Sequence, residues 1–272
     1  MNRQNENTVP LKKGNYLAPH FSISSFDDLL VGITTYDAPI ETGVWHFHEI
    51  PMISFVLYGS NTEYRKGGSI RRNSGSANYY HAHELHKNVY DQFPSKHISL
   101  ELDLNYLKKL EYTEADIQLA VEKSQDSIFT FIRLMNEAQT NDVQSKNTVE
   151  MLFLSFMENA LVSKDNAQFP PWMSLVREIL NDRWNENISL KELSNKVHVH
   201  PTTISKHFRK FFGCTLGEYT RKLKVEHSIN FLHSSNYSLT EIAYICGFSD
   251  QSHFIRTFKS MTGYLPKKYC SV

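Results

Sequence analysis

One stretch of sequence occurs twice in the last third of the chain, and this repeat restricts the possible folds more than any other feature. The segment ISLKELSNKVHVHPTTISKHFRKFFG (188–213) aligns with YSLTEIAYICGFSDQSHFIRTFKSMTG (237–263), with one extra residue in the second copy. Apolar residues recur at helical spacing in both copies, so each copy is predicted to form the same small unit of helices.

Capping signals and turn residues divide each copy into a helix, a short turn and a second helix. Ser189 and Ser238 each precede a glutamate by three residues, which is the spacing of a capping box. At the turns, Gly247 tolerates a left-handed backbone, and His198 fills the equivalent position less readily. This order predicts two helix-turn-helix units. The intervening residues 216–235 are predicted to form one long linker helix.

The charges of the chain are distributed unevenly, although 29 basic and 29 acidic residues cancel over its 272 positions. Residues 172–272 hold 14 lysines and arginines against 8 acidic residues, a net charge of +6. Residues 1–171 hold 15 against 21, a net charge of −6. A basic C-terminal region indicates a polyanionic partner.

The second helix of the second copy has two contrasting faces. Phe254, Phe258 and Met261 are spaced to share an apolar face. A solvated surface helix normally carries both signs of charge, but the opposite face here has no carboxylate, so we interpret it as a binding surface. Its members are Gln251, Ser252, Ile255, Arg256 and Lys259.

Residues 172–272 resemble the DNA-binding domain of the AraC/XylS family of bacterial transcription regulators. The resemblance rests on SLKELSNKV, on FRKFFG and on the closing stretch SLTEIAYICGFSDQSHFIRTFKSMTGYLPKKY. It implies double-stranded promoter DNA as the partner, with the second helix of each unit in the major groove. It also implies a sequence-specific regulator, usually an activator that contacts RNA polymerase.

The resemblance also implies which residues contact DNA. An arginine can bind guanine in fork geometry, a glutamine can bind adenine, and an isoleucine can contact a thymine methyl group. The matching base-contacting positions are Thr202, Ser205 and Lys206 in the first unit, and Gln251, Ser252, His253, Ile255 and Arg256 in the second. The cations expected to contact phosphate are Arg209, Lys210, Arg221, Lys224, Lys259, Lys267 and Lys268.

The N-terminal half shows two kinds of pattern after a polar arm at residues 1–20. From 21 to 104 the segments are short, β-branched or aromatic, and separated by turn residues, with several hairpin-like turns within 59–75. Many short strands without intervening helices predict a small β-barrel or sandwich. Helical spacing returns in IFTFIRLM (128–135) and TVEMLFLSFMENALV (148–162).

An apolar stripe on the second of these helices can be either core or a dimer seam. The sequence does not decide between the two. The stripe comprises Met151, Leu154, Ser155, Met157 and Leu161. The segment SKDNAQFPP (163–171) is predicted to be a linker, because its prolines end any helix.

Three histidines in the strand-rich region form a candidate site. His46 and His48 are two residues apart and would share one side of a strand, and His86 follows on a later strand or turn. With Gly59, they give residues 30–105 a looser resemblance to the small cupin barrel that AraC/XylS regulators often carry. The cupin metal motif continues to a glutamate that residues 50–55 lack.

These histidines are therefore predicted to form hydrogen bonds in the barrel or to line the pocket of a small-molecule effector. No metal or cofactor is expected, although three imidazoles and a water molecule could still hold Zn²⁺ or Fe²⁺. A second same-side pair, His81 and His83, is expected at the surface or rim.

The predicted fold class is α+β. A cupin-like barrel with helices, for effector binding or dimerisation, is expected over 1–165, and an all-α DNA-binding domain with two helix-turn-helix units over 172–272. The alternatives are a metal-dependent cupin enzyme fused to a helical domain and an architectural DNA protein without sequence preference. No catalytic triad, P-loop or dinucleotide motif supports an enzyme. The effector, the operator, activation against repression and the oligomeric state are left open by the sequence.

Composition also bears on location. No apolar run approaches the length of a membrane span, and the polar start MNRQNENTVPLKKGN lacks a secretory signal. Three scattered cysteines, Cys214, Cys246 and Cys270, fit a reducing compartment. A cytoplasmic protein is therefore expected.

Overall fold

The structure is a computed structural model, and it divides into two compact units, Met1–Lys164 and Asp165–Val272. Among the described residues, strands followed by helices make up the first unit and helices alone the second, so the α+β class is confirmed. The residues that the structure describes are 8–38, 43–123, 127–162, 170–234 and 236–271.

Within the described residues, eight strands of the first unit form one curled sheet. They are β1 Val9–Leu11, β2 His20–Phe26, β3 Leu29–Tyr36, β4 His46–His48, β5 Met52–Arg65, β6 Gly68–Asn73, β7 Ala77–Tyr80 and β8 His86–Leu102. The order is β1-β4-β8-β3-β2, and β5 pairs with β6, β7 and β8. Because β8 is 17 residues long, it pairs with β3, β4 and β5 at different points along its length, which curls the sheet into a half-barrel.

Helices follow the sheet in the first unit and share its core. They are α1 Leu104–Lys109, α2 Glu114–Lys123, α3 Ser127–Thr140 and α4 Ser145–Val162. Phe55 of β5 stacks on Phe131 of α3 with ring centroids 4.7 Å apart, and Phe131 meets Phe156 of α4 edge to face at 5.8 Å. These large buried rings join the sheet to the helices.

Two expectations for the strand region were wrong. The described part of the predicted polar arm includes β1, which pairs in parallel with β4 and places Val9 opposite His46. The predicted turns within 59–75 are instead mostly one long hairpin, in which Ser60 pairs with Asn73 and the strands continue to Arg65 and Gly68. Sequence reasoning missed this because bulges near Gly59 let β5 run on past the glycine.

The apolar stripe predicted on α4 does not form one face. Met157 is fully buried beside Val149 and Phe153, whereas Met151 is 69% exposed and Ser155 is also exposed. The core prediction is therefore correct for Met157 alone among these three, and the dimer seam stays a prediction. The side chain of Leu161 and residues 163–169 of the predicted linker lie outside the described residues.

The second unit contains the two predicted helix-turn-helix motifs. Its helices are α5 Pro171–Asp182, α6 Leu190–Val197, α7 Pro201–Phe212, α8 Leu216–Ser234, α9 Leu239–Ile245, α10 Gln251–Thr262 and α11 Pro266–Cys270. The pairs α6–α7 and α9–α10 form the two motifs, and α8 contacts α7, α9, α10 and α11. Helix α8 is about 28 Å long at 1.5 Å per residue, so it is a rigid spacer between the motifs.

The helix caps agree with the predicted boundaries but differ between the copies. The Ser238 hydroxyl accepts a bond from the Glu241 N–H (3.3 Å), and the Glu241 carboxylate accepts one from the Ser238 N–H (2.7 Å), which completes a capping box. Ser189 likewise caps Glu192, but the Glu192 carboxylate accepts a bond from Arg183 (2.5 Å). The first copy therefore has only half of the predicted capping box, because the Glu192 carboxylate bonds Arg183, which lies outside the repeat.

The two turns use the left-handed backbone that the sequence requires there. His198 has φ 54° and ψ 37°, and Gly247 has φ +71°. A Cβ atom on Gly247 would lie 1.7 Å from the carbonyl oxygen of Asn185, which belongs to the loop before α6. Glycine at 247 therefore permits a close backbone approach as well as the turn.

We expect opposite effects of substitution at these two turns. Gly247→Ala should lower the free energy of unfolding by at least about 2 kcal/mol, because it adds left-handed strain and a backbone clash. His198→Gly should raise that free energy by up to about 1 kcal/mol, because relieved strain outweighs the extra entropy of the unfolded chain. Urea denaturation of the full chain checks both, and equal effects at the two sites would contradict this account.

Candidate nucleic-acid interface and sheet cavity

Helix α7 presents a polar face opposite its core contacts. Ile204 and Phe208 are fully buried in the core of the first motif. Thr202, Ser205 and Lys206 are exposed. Together with Arg209 and Lys210 they line one shallow surface groove. The structure thus brings the predicted base-contacting and phosphate-contacting residues of this helix onto a single surface.

Helix α10 repeats this arrangement with different chemistry. Phe254 and Phe258 are fully buried, with Thr262 rather than Met261 completing the buried face. Ser252, Arg256 and Lys259 are exposed, and Gln251, His253 and Ile255 are half-buried. The polar face that the sequence predicts is therefore present on this helix, and its role in binding stays a prediction.

Local contacts hold the Gln251 side chain and the first turn of α10 in place. Gln251 accepts a bond at Oε1 from the Thr240 hydroxyl (2.9 Å), which leaves its amide NH₂ group as a donor. The Asp250 carboxylate caps the N–H of His253 (2.7 Å), and this bond lowers the pKa of Asp250. The first contact restricts the orientation of Gln251, and the second stabilises the N-terminal turn of α10.

Lys224 has a different role from the predicted phosphate contact. It is only 6% exposed, and its ammonium donates to Asn187 Oδ1 (2.8 Å) and to the Gly247 carbonyl (2.7 Å). Burial lowers its pKa. An ammonium with both bonds directed into the protein is poorly placed for phosphate, and here it joins the loop before α6 to the turn of the second motif.

The other predicted phosphate-contacting cations lie nearer solvent. Arg221 is half-buried, and Lys259, Lys267 and Lys268 are exposed. The Lys268 ammonium lies 5.8 Å from the centre of the Tyr264 ring, a cation–π distance. Their contacts with phosphate stay a prediction.

In the first unit, the three predicted histidines converge on one side of a cavity in the sheet. His46 and His48 of β4 and His86 of β8 are buried, and a ligand nitrogen from each lies within 4.8 Å of the others. His46 is paired with His86 across the strands. We call this space the sheet cavity. Its volume is about 100 Å³, and its further polar lining includes Tyr36, Asn61, Arg72, Tyr80, Tyr90 and His97.

Hydrogen bonds orient two of the three rings. His46 Nδ1 bonds the carbonyl oxygen of Val44 and His86 Nδ1 that of Glu84, both at 2.9 Å. Burial lowers the pKa of His48 to about 3 and that of His86 to about 2, so these rings are neutral at pH 7. His81 and His83 are exposed and outside this group, as expected.

Comparison with known proteins identifies the second unit. Residues 193–271 match the family described as "Helix-turn-helix domain". Over 85 residues the chain is 35% identical to the probable transcription factor PqrA of Proteus vulgaris, covering 31% of this chain and 70% of that protein. The chain belongs to the AraC-type helix-turn-helix family of DNA-binding transcription regulators. The family assignment favours a regulator over the enzyme alternative.

Other relatives of this AraC-type chain are longer proteins. The bifunctional transcriptional activator/DNA repair enzyme AdaA of Bacillus subtilis is 27% identical over 125 residues, or 45% of this chain and 59% of that protein. An uncharacterized HTH-type transcriptional regulator of Staphylococcus aureus is 23% identical over 230 residues, or 80% of this chain and 31% of that protein. The chain thus spans less than two thirds of the length of these two relatives.

Solved structures include similar chains at low identity. ToxT from Vibrio cholerae matches with a TM-score of 0.38 and 16% identity, over 90% of this chain and 97% of that one. The DNA-binding domain of AdpA, in complex with a target DNA, matches with a TM-score of 0.35 and 21% identity, over 36% and 89%. Among the described residues of the AraC-type chain, no helix is long and apolar enough to cross a membrane.

Sequence reasoning missed an ionic group behind the histidines. The Glu63 side chain is 1% exposed and accepts bonds from Arg65 and from Arg72 Nε (3.1 Å for the latter). The Arg65 guanidinium lies 5.1 Å from the centre of the Tyr80 ring, which stacks on His86 at 4.1 Å. The alternation of Glu63 and Arg65 is a usable signal, but the glycine and asparagine residues around them favour turns.

We expect substitution of Lys224 to affect stability and substitution of Lys259 to affect phosphate contact. Lys224→Met should lower the free energy of unfolding by about 1–3 kcal/mol, because two oxygen acceptors at a part-buried site lose their donor. It should leave the salt dependence of DNA binding unchanged. Lys259→Ala should change stability by no more than about 0.5 kcal/mol and reduce the slope of log K against log salt concentration by about 0.9.

Urea denaturation and salt-dependent binding to a DNA duplex measure these two quantities. A stable Lys224→Met protein with a reduced salt slope would return Lys224 to the phosphate-contacting set.

Proposed function

We propose that this chain is a sequence-specific regulator that reads two successive major-groove segments of promoter DNA with α7 and α10. The observation that carries the proposal is the pair of helix-turn-helix motifs joined by α8, each with a buried apolar face and an exposed polar one. Two recognition helices on one face of a duplex must be about 34 Å apart, or one turn of DNA. A continuous helix between the motifs supports such a constant spacing.

The side chains on the polar faces are suited to contact different bases. Arg256 can bind guanine with its guanidinium, the amide NH₂ of Gln251 can take part in binding adenine, and Ile255 can pack against a thymine methyl group. The other proposed base-contacting residues are Thr202, Ser205, Lys206, Ser252 and His253. The proposed phosphate contacts are Arg209, Lys210, Arg221, Lys259, Lys267 and Lys268.

The first unit, for which the sequence predicts a domain over 1–165, is proposed to be a cupin-like domain for sensing or dimerisation. His46, His48 and His86 would line its effector pocket in the sheet cavity. An effector can alter DNA binding only if it binds the DNA-competent state with a different affinity from the other state. By family resemblance the outcome is transcription activation through RNA polymerase, in the bacterial cytoplasm, with the chain acting as a homodimer if α4 forms a seam.

Selection of bound duplexes from a random library by the full chain tests the base-reading proposal. We expect one enriched motif and a marked loss of affinity with rising salt. Arg256→Ala and Lys206→Ala should each cost about 1–3 kcal/mol on that motif and relax the preference at one base position.

Lys191→Ala is the matched control, because Lys191 is exposed on α6 and its replacement removes the same charge. It should leave the selected sequence unchanged. The proposal fails if the folded Arg256→Ala and Lys206→Ala proteins bind the motif as tightly and as selectively as the parent chain.

A further inference from the structure

The three histidines of the sheet cavity include a buried ring nitrogen that no hydrogen bond among the described residues satisfies. His86 has no exposed surface, yet its Nε2 atom has no hydrogen-bond partner among the described residues. An unpaired buried polar atom is destabilising, so its retention calls for a partner. The nitrogens of His46 and His48 lie within 4.8 Å, on the same side of the cavity.

The hydrogen bonds of the other ring nitrogens match those of metal-binding histidines. Such histidines usually donate one ring N–H to a carbonyl or carboxylate oxygen, which fixes the tautomer and directs the second nitrogen at the ion. In His46 and His86 the Nδ1 atom bonds a backbone carbonyl oxygen at 2.9 Å. The Nε2 atom of both rings is therefore the one left with a lone pair.

The size of the sheet cavity favours an ion over an organic ligand alone. Pockets for organic ligands typically have volumes of about 300–1,000 Å³. The sheet cavity has about 100 Å³. It has space for an ion with a few water molecules, each of which occupies about 30 Å³ in the liquid.

We infer that His46, His48 and His86 hold a divalent transition-metal ion of the Zn²⁺ class, with an open coordination position facing the sheet cavity. Imidazole is a good ligand for Zn²⁺, and three protein ligands plus water form a four-coordinate site. Nitrogens bound tetrahedrally at 2.0–2.1 Å lie about 3.4 Å apart. Because the histidine nitrogens lie within 4.8 Å of one another, no pair needs to close by more than about 1.4 Å.

The surrounding side chains can hold the His86 ring in the orientation that metal binding needs. The Tyr80 ring stacks on His86, and the Arg65 guanidinium lies over the Tyr80 ring. Arg65 is itself fixed by Glu63 and by Glu84, the latter at 2.6 Å. Glu84 also supplies the carbonyl that bonds His86 Nδ1. One ionic group thus positions His86 from two sides.

The inference deepens the proposed sensing role and rests on that proposed function for its biological meaning. Because the chain belongs to a regulator family, we assign the site to sensing: a metal ion, or a small ligand that completes its coordination, would be the signal. Metal binding and DNA binding are measured separately on the full chain, so failure of one is distinguishable from failure of the other.

Titration of chelator-treated full-length protein with Zn²⁺ tests the site. We expect one ion per chain and, with Co²⁺ as the probe, the strong visible absorption of a four-coordinate complex. His48→Ala and His86→Gln should weaken Zn²⁺ binding by about 100-fold or more. His83→Asn is the matched control, since His83 is exposed with φ 63° and asparagine tolerates that backbone, and its affinity should stay within about twofold of the parent.

His48→Cys keeps the proposal testable if loss of a histidine disturbs folding. A cysteine at a ligand position should retain Co²⁺ and add a thiolate-to-metal charge-transfer band, which a purely structural histidine would not produce. Circular dichroism establishes that each variant is folded. The inference is overturned if the parent binds no stoichiometric Zn²⁺, or if folded His48→Ala and His86→Gln bind it as tightly as His83→Asn does.

Discussion

The ammonium group of Lys224 connects the parts of the helical unit that DNA reading requires. From the linker helix α8 it donates to Asn187, in front of the first motif, and to the Gly247 carbonyl, in the turn of the second. The Asn185 amide adds a bond to the Ile245 carbonyl (3.2 Å). A buried ammonium is stable only when it is well paired. Its bonds therefore constrain the motifs relative to one another, as the proposed reading of two groove segments requires.

Glycine at 247 is part of the same connection. Its left-handed backbone presents the carbonyl to Lys224, and its missing side chain lets Asn185 approach. The first motif reaches a similar turn with His198 in the left-handed region. The two copies thus share a helix pattern, and the copy whose turn accepts the Asn185 carbonyl at close range carries glycine there.

The sheet unit places an unusual amount of polar chemistry in its interior. The long strand β8 contributes His86 at one end and His97 further on, and β4 contributes His46 and His48. Around them Glu63, Arg65 and Tyr80 form a continuous set of bonds and stacked rings. A core built only for stability would replace such groups with apolar ones, because buried ion pairs seldom gain over good apolar packing. These buried polar groups are the physical basis for assigning a ligand to the sheet cavity.

Sequence patterns by themselves determined the local elements of this protein. The capping serines, the turn residues and the apolar spacing predicted both helix-turn-helix motifs and the linker helix, since these signals act within a few residues. Spacing also placed His46 and His48 on one side of a strand. Tertiary structure alone decided what depends on distant neighbours. It showed that Lys224 is buried, that Met151 and Met157 separate, that β5 continues past Gly59, and that Glu63 and Arg65 support the histidines. Burial and charge pairing arise from segments far apart in the chain, and no local pattern records them.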